Sequence, residues 1–442
     1  MSERKKIVII GGGFGGLWAA KGLTNKAVDV TLIDRKNHHV FQPLLYQVAT
    51  AVLSPGEIAQ PIRRILHKAK NIKVILGEVT AFDKLNNHVE LADGSQIGYD
   101  YLIVAAGARH SYFGNDGWEA CAPGLKTLED AVEIRSRVLL AFELAERHAY
   151  LTGEQRELNF VVVGGGPTGV ELAGAIADIA RQALAKDFKA IDTRLARVIL
   201  FEGSERVLGT FASDLSDSAK RQLEQIGVEV RLNSFVIEID QGRVRVGDEW
   251  IDCDVVLWAT GVAASPLGKE LGAETDRVGR VVVENDLSIK GFPNVFVIGD
   301  MAFLLQENGE PVPGVSPAAM QMGTLAAENI LAEIKGKRRE NFTYWDKGTM
   351  ATIGRSKAIA QGAGMKFSGF IAWMMWLFLH VFFLIGFRNR LVVMFEWFWA
   401  YLTRERSARL ITGDADELRD AINFIEATSV EVKARRKKTT SS

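Results

Sequence analysis

Residues 161–174 read VVVGGGPTGVELAG: a β-branched run, a cluster of glycines, then a helix-like segment. A strand that breaks on glycine and resumes as a helix aims unpaired N–H groups and a positive helix end at one point. That point suits a dinucleotide pyrophosphate. The chain has already built the same turn in KKIVIIGGGFGGLWAAKGL at residues 5–23. Two such turns predict an α/β protein with two Rossmann-like dinucleotide-binding domains.

The glycines of each turn take the same roles. Gly11 permits the tight turn, Gly13 lets a phosphate approach the backbone, and Gly16 lets helix pack on strand. Gly164, Gly166 and Gly169 repeat the pattern. An acid closes the next strand in both halves, Asp34 in VDVTLIDR and Glu202 in ARVILFEG, where a carboxylate accepts from a ribose hydroxyl. The second spacing is the longer, and its excess fits the charged stretch 185–197. A carboxylate there repels a 2′-phosphate and favours NADH, although Arg206 nearby points toward NADPH. The echo continues: YDYLIVAAGA at 99–108 returns as IDCDVVLWATGV at 251–262. NVFVIGDMA at 294–302 adds a strand ending in Gly299 and Asp300, so the second domain is inserted in the first.

Two cradles imply two dinucleotides, a resident FAD and a visiting NADH. The FAD candidates are Gly11, Gly12, Gly13, Phe14, Gly15, Gly16, Asp34, Arg35, Val79, Ala106, Gly107, Gly299 and Asp300. The NADH candidates are Gly164, Gly166, Gly169, Glu202 and Gly261. Expected helices cover 14–24, 127–148, 167–188 and 318–336, with a short strand pair at 352–361. The expected domains are an FAD domain in two parts, 1–118 and 286–345, a connecting helical segment 119–155, an NADH domain 156–285, and a membrane-association region 346–442.

Composition narrows the chemistry. A formal net charge of −1 over 442 residues gives no field for nucleic acid. Cys121 and Cys253 form no C-x-x-C pair, so neither a disulfide framework nor a redox dithiol beside the flavin is expected, and no metal site. They are expected to be small buried side chains of a protein in a reducing cytoplasm. MSERKK runs straight into a strand and does not resemble a signal peptide. Electrons must therefore leave the flavin for an external acceptor.

The C-terminal region suggests where that acceptor lives. Residues 367–387, FSGFIAWMMWLFLHVFFLIGF, contain no acid, lysine or arginine, and 391–402 is nearly as apolar but carries Glu396. At about 1.5 Å per residue the first segment is long enough to cross a bilayer. Basic residues flank both ends: Arg355, Lys357 and Lys366 before, then Arg388, Arg390, Arg404, Arg406 and Arg409 after. Positive flanks on one side favour two helices lying in the interface over a span at 367–387 or a buried dimer hairpin. KARRKK at 433–438 suits an anionic lipid surface or a solvated tail. An acceptor dissolved in the membrane is a quinone. FQPLLYQVAT at 41–50 and SPAAMQMG at 316–323 are expected to line its site, with Gln47 and Gln321 bonding quinone carbonyls or serving structure.

In order along the chain, GGGFGGL, FQPLLYQVATAVLSPGEIAQPIR, YLIVAAGA, VVVGGGPTGVELAG, WATGV, VFVIGD, SPAAMQMG and the aromatic tail resemble the type II NADH:quinone oxidoreductases. These are single-subunit respiratory enzymes that do not pump protons. The resemblance spans nearly the whole chain. It implies FAD, NADH, menaquinone or ubiquinone as acceptor, a homodimer, and attachment to the cytoplasmic face of the inner membrane. It places Gly11, Gly13, Gly16, Asp34 and Asp300 at FAD, Glu171 as the functional glutamate, and Ala319, Gln321 and Gly323 in the quinone pattern A-Q-x-A-x-Q-x-G. Ser316 and Pro317 depart from that pattern, which has Ala and Gln there, and so lack one side-chain contact of the pattern. From the residues alone, Glu171 is an acid near a helix start, stabilised by the dipole. An NADPH-preferring quinone reductase, a reductase of a small iron–sulfur carrier and a partner-recruiting flavoprotein are the competing readings.

Overall fold

The computed structural model describes residues 4–403, 406, 408–412, 419 and 422. The first glycine turn leaves the strand Lys5–Ile10, which pairs in parallel with Val28–Asp34 on one side and Tyr101–Val104 on the other. Six strands form this sheet in the order Ser288–Ile289, Phe292–Val297, Tyr101–Val104, Lys5–Ile10, Val28–Asp34, Ile72–Leu76. All its pairings are parallel except that of Ser288–Ile289 with Phe292–Val297. The second glycine turn leaves the centre of a four-stranded parallel sheet: Val228–Arg231, Arg197–Phe201, Asn159–Val163, Val255–Trp258. Every residue of Asn159–Val163 and Val255–Trp258 is buried, as a sheet covered on both faces requires.

The second sheet is built from residues that fall, in sequence, between strands of the first, so the insertion read from the sequence is the architecture. The chain groups into two compact units. One contains residues 1–40, 59–109 and 262–347; the other contains 41–58, 110–261 and 348–442. These limits differ from the expected segments. Residues 262–285 group with the first unit because Val281 and Val282 pair with Ala302 and Phe303. Residues 41–58 group with the second, where Leu45–Ala49 packs on the helices Leu128–Thr152 and Pro167–Asp178.

Local chemistry explains the long connecting helix Leu128–Thr152. Thr127 Oγ1 accepts the Asp130 N–H at 3.1 Å, and Asp130 Oδ2 accepts the Thr127 N–H at 2.9 Å. This capping box satisfies two donors at the helix start, and Gly153 at φ +74 ends it.

Three expectations need correction. The helix expected over 167–188 is α-helical only to Asp178 and continues as a π-turn over Ile179–Ala183. The strand pair expected at 352–361 is a three-stranded sheet, Thr349–Gly354, Lys357–Gly362 and Met365–Ser368. The apolar stretch 367–387 is two pieces: Phe370–Phe383 ends before Gly386, at φ +94, and Phe387–Thr403 begins a second helix. Among the described residues no helix is long and apolar enough to cross a membrane, so the spanning alternative is not formed. KARRKK and Arg404 lie outside the described residues.

The three-stranded sheet lies against the helix Pro167–Asp178 at Gly174. A Cβ there would fall 1.7 Å from the Ile353 carbonyl oxygen. Gly174→Ala is therefore expected to destabilise this unit by about 2–4 kcal/mol. Thermal denaturation would register the loss; an unchanged melting temperature would contradict this packing.

Candidate functional site

The two glycine turns have matching geometry. In the first, the Gly11 N–H donates to the Ile33 carbonyl at 2.8 Å, and Gly11 stands at φ +96. A Cβ on Gly16 would lie 1.9 Å from the Gly11 oxygen, so helix and strand touch through backbone. In the second, the Gly164 N–H donates to the Phe201 carbonyl at 2.8 Å with φ +109, and a Cβ on Gly169 would lie 1.8 Å from the Gly164 oxygen. Gly13 and Gly166 each cap a helix that has no side-chain cap, and a Cβ on either meets nothing within 4 Å. Open space over an uncapped helix start is the space a dinucleotide phosphate needs, and both turns fit one.

The acids correspond as well. Asp34 Oδ2 accepts the Gly12 N–H at 2.5 Å and Oδ1 the Lys36 N–H at 2.7 Å. Glu202 Oε2 accepts the Gly165 N–H at 2.6 Å, while Oε1 accepts the Ser204 N–H at 2.7 Å and its hydroxyl at 2.6 Å. The longer spacing to Glu202 therefore leaves it in the same place as Asp34. The additional chain is taken up by the π-turn and the short turn Thr193–Leu195. Arg206 donates to the Gly209 carbonyl at 3.1 Å.

Other candidates gather at the first turn. Gly11 lies against Ala105 and Ala106. Gly15 approaches Ile298 and Ala319, and Gly299, at φ +68, faces the Ala319 methyl. Asp300 shares the turn Gly299–Met301. Gly107 is at φ +70 with open space at its Cβ position. Phe14 meets His39 edge to face at 5.0 Å. Arg35 is exposed, whereas Val79 is buried and paired with Leu91 in a separate antiparallel sheet. His39 was not anticipated: its Nδ1 lies 3.0 Å from the Gly12 carbonyl, which accepts, so that nitrogen carries the proton. Burial lowers its pKa to about 4 and keeps it neutral.

The quinone pattern divides. Gln321 bonds the Trp345 backbone at both ends of its amide, each at 3.0 Å. Gly323 is a packing residue, since a Cβ there would lie 2.2 Å from the Gly15 oxygen. Gln47, in contrast, is buried at the edge of a cavity of about 140 Å³ within the second unit. Its walls are the helix Pro167–Asp178 (Glu171, Ala175, Asp178), Tyr46 and Gln47, Thr352, and Trp373, Trp376, Trp397 and Tyr401 of the aromatic helices.

A hydrogen-bonded chain crosses this cavity. Trp397 Nε1 donates to Gln47 Oε1 at 2.7 Å, Gln47 Nε2 donates to the Tyr46 hydroxyl at 2.9 Å, and that hydroxyl lies 3.0 Å from Thr352 Oγ1. The Thr352 N–H donates to Glu171 Oε1 at 3.5 Å. Glu171 keeps some surface, and that surface lines the cavity. Desolvation raises its pKa to about 8, only partly opposed by the Thr352 N–H, so it is protonated at neutral pH. Burial also pushes the Tyr46 hydroxyl up. Arg406, just past the helix Phe387–Thr403, donates to the Thr50 carbonyl at 2.6 Å and the Ala175 carbonyl at 3.3 Å. Tyr46 adjoins a glutamine that the sequence singled out. In sequence Trp397 is only part of the apolar stretch 391–402 and Arg406 only a basic flank facing the membrane, whereas both line the cavity; Thr352 carries no signal.

Glu171 makes stability depend on pH. Its folded pKa of about 8 lies above the ordinary value of 4.5. The stability it contributes by holding a proton is therefore complete below the unfolded value and is lost as pH rises toward 8. Glu171→Gln cannot ionise, so its stability relative to the parent should climb across that window by on the order of 1–3 kcal/mol. Denaturant titrations at several pH values would show this. A difference independent of pH would mean that Glu171 ionises freely in the folded protein.

Comparison with known proteins agrees with this geometry. The pyridine nucleotide-disulphide oxidoreductase family matches residues 5–323, and the NDH2 C-terminal domain matches 346–405. The chain is 45% identical to type II NADH:quinone oxidoreductase NdhA of Mycobacterium tuberculosis, over 96% of this chain and 93% of that one. It is 46% identical to Ndh of the same organism, over 93% and 91%. A structure of NDH2 from Plasmodium falciparum in complex with NADH superposes with a TM-score of 0.83 at 20% identity, covering 93% of this chain and 100% of that one. At that identity the likeness concerns the fold.

Proposed function

This chain belongs to the type II NADH:quinone oxidoreductases, and we propose that its second sheet receives NADH while the cavity behind Glu171 receives the quinone. The protein is an FAD-dependent enzyme that oxidises NADH and reduces a quinone. When bound, FAD supplies the redox chemistry, accepting hydride from NADH and returning two electrons to the quinone.

The observation that carries the reading is the position of Glu171. It stands on the same helix as the second glycine turn, yet it lines a cavity that Trp373, Trp376 and Trp397 of the aromatic helices also line. In the proposed arrangement Gly11–Gly16, Asp34 and the Gly299–Asp300 turn hold FAD. Gly164–Gly169 hold the NADH pyrophosphate, and Glu202 takes its adenosine ribose. The aromatic walls suit a flat, apolar ring. Gln47 orients Tyr46 and Trp397 through the two hydrogen bonds of its amide, donating to the first and accepting from the second. Glu171, protonated at neutral pH, supplies a proton to the reduced quinone. Ala319 and Gln321 act at one remove, through the Gly299 turn and the Trp345 backbone.

The enzyme is associated with a membrane. We place it on the cytoplasmic face of the inner membrane as a homodimer, attached without spanning and without pumping protons. The helices Phe370–Phe383 and Phe387–Thr403 support the attachment, since they expose Phe370, Phe378, Phe382, Phe395, Phe398 and Leu402. Such a surface suits the interfacial layer, and Arg388 beside it suits anionic headgroups.

Steady-state NADH oxidation with menaquinone and ubiquinone analogues tests the reading, alongside a flavin absorbance spectrum and an NADPH control. NADH oxidation that does not depend on quinone would overturn it. Within that assay, Gln47→Ala is expected to raise the quinone KM about tenfold while moving the NADH KM less than about twofold. Equal changes in both would remove Gln47 from the quinone side.

A further inference from the structure

We propose that Phe235 is the adenine-stacking wall of the NADH site, its ring held over Gly203 beside the ribose acid Glu202. This rests on the assignment of the second glycine turn to NADH.

Phe235 is 69% exposed, yet its ring has a definite seat. A Cβ built on Gly203 would fall 2.4 Å from its Cε1 and 2.8 Å from both Cδ1 and Cζ. The ring therefore rests on the bare α-carbon of Gly203, and any side chain there would displace it. Gly203 follows Glu202, whose carboxylate is held by the Gly165 and Ser204 N–H groups. The segment that carries the ring is joined to the same strand end by backbone. The Glu202 N–H donates to Arg231 O at 2.9 Å, the Ser234 N–H to Glu202 O at 2.9 Å, and the Asn233 N–H to Ser204 O at 3.0 Å. Asn233 turns the chain at φ +52. Moving the backbone of this segment away from the acid would mean breaking these bonds.

Position decides what the ring can meet. In a doubly wound sheet the dinucleotide lies across the carboxyl ends of the strands, with its adenosine half over the strand whose acid holds the ribose. A ring seated on the residue that follows that acid stands where the base attached to that ribose would lie. Adenine offers a flat π face, and a fixed, solvated phenyl ring is the surface on which such a face stacks. A second exposed ring gives an internal control. Phe113 is 68% exposed at φ +53, and its Cζ would lie 2.9 Å from a Cβ on Gly261. Gly261 follows the strand Val255–Trp258, on the other side of the central strand from Glu202. Phe113 is thus remote from the adenine end of the same sheet.

Calorimetric titration of the FAD-loaded full chain tests this, with ADP-ribose, AMP and nicotinamide mononucleotide as probes. Phe235→Ala should weaken ADP-ribose and AMP about tenfold and leave nicotinamide mononucleotide unchanged. It should raise the NADH KM more than it lowers kcat. Phe235→Tyr should restore adenine affinity, Gly203→Val should reproduce the loss by displacing the ring, and Phe113→Ala should leave AMP binding as it is. If Phe235→Ala binds ADP-ribose normally while Glu202→Ala has lost it, the cradle assignment stands and the stacking wall is wrong. If neither variant alters ADP-ribose binding, the NADH assignment itself fails. An equal loss of AMP affinity in Phe113→Ala would also overturn the proposal, because the effect would then not be local to the adenine end.

Discussion

In each sheet a carboxylate at the end of one strand accepts a hydrogen bond from the N–H of a glycine in the neighbouring turn: Gly12 to Asp34 at 2.5 Å, Gly165 to Glu202 at 2.6 Å. This bond fixes the turn against the adjacent strand and leaves open space beside the next glycine. It also holds the acid where a ribose hydroxyl can reach it. The third glycine completes the constraint, because a Cβ there would overlap a carbonyl oxygen of the same turn. The strands can tolerate many apolar side chains. The turns tolerate none at the first and third glycines.

The helix Pro167–Asp178 then serves two sites with two of its faces. Its uncapped start lies at the second glycine turn, while Glu171, Ala175 and Asp178 line the aromatic cavity. Gly174 lets the three-stranded sheet approach so closely that Thr352 comes within reach of Glu171. The same close packing removes water from the carboxyl and raises its pKa. Proximity and protonation state have one cause.

Much of this was legible in the chain. Strand, glycine turn, helix and closing acid follow one another locally, and backbone sterics allow few other conformations for them. The longer spacing to Glu202 weakened that part of the reading, yet the hydrogen bond to Gly165 gives it the same geometry as Asp34. The quinone pattern was less legible. Gln47 and Gln321 are both glutamines in apolar surroundings, and sequence offers no means of separating them. One lines the cavity, whereas the other ties down the Trp345 backbone. The aromatic tail was expected as a membrane surface, and only part of it is exposed. Trp376 and Trp397 turn inward as cavity wall.

By itself the sequence determined the two phosphate turns and their closing acids, which are set by contacts over a few tens of residues, and the repeat of the strand pattern gave the order and insertion of the two nucleotide folds. Tertiary structure alone decided the polar chain through the cavity. Tyr46 meets Thr352 across 306 positions, and Gln47 meets Trp397 across 350. Those partners are chosen by how helices and sheets pack around buried surface. The pKa of Glu171 is likewise a property of the water that packing excludes, which no local pattern records.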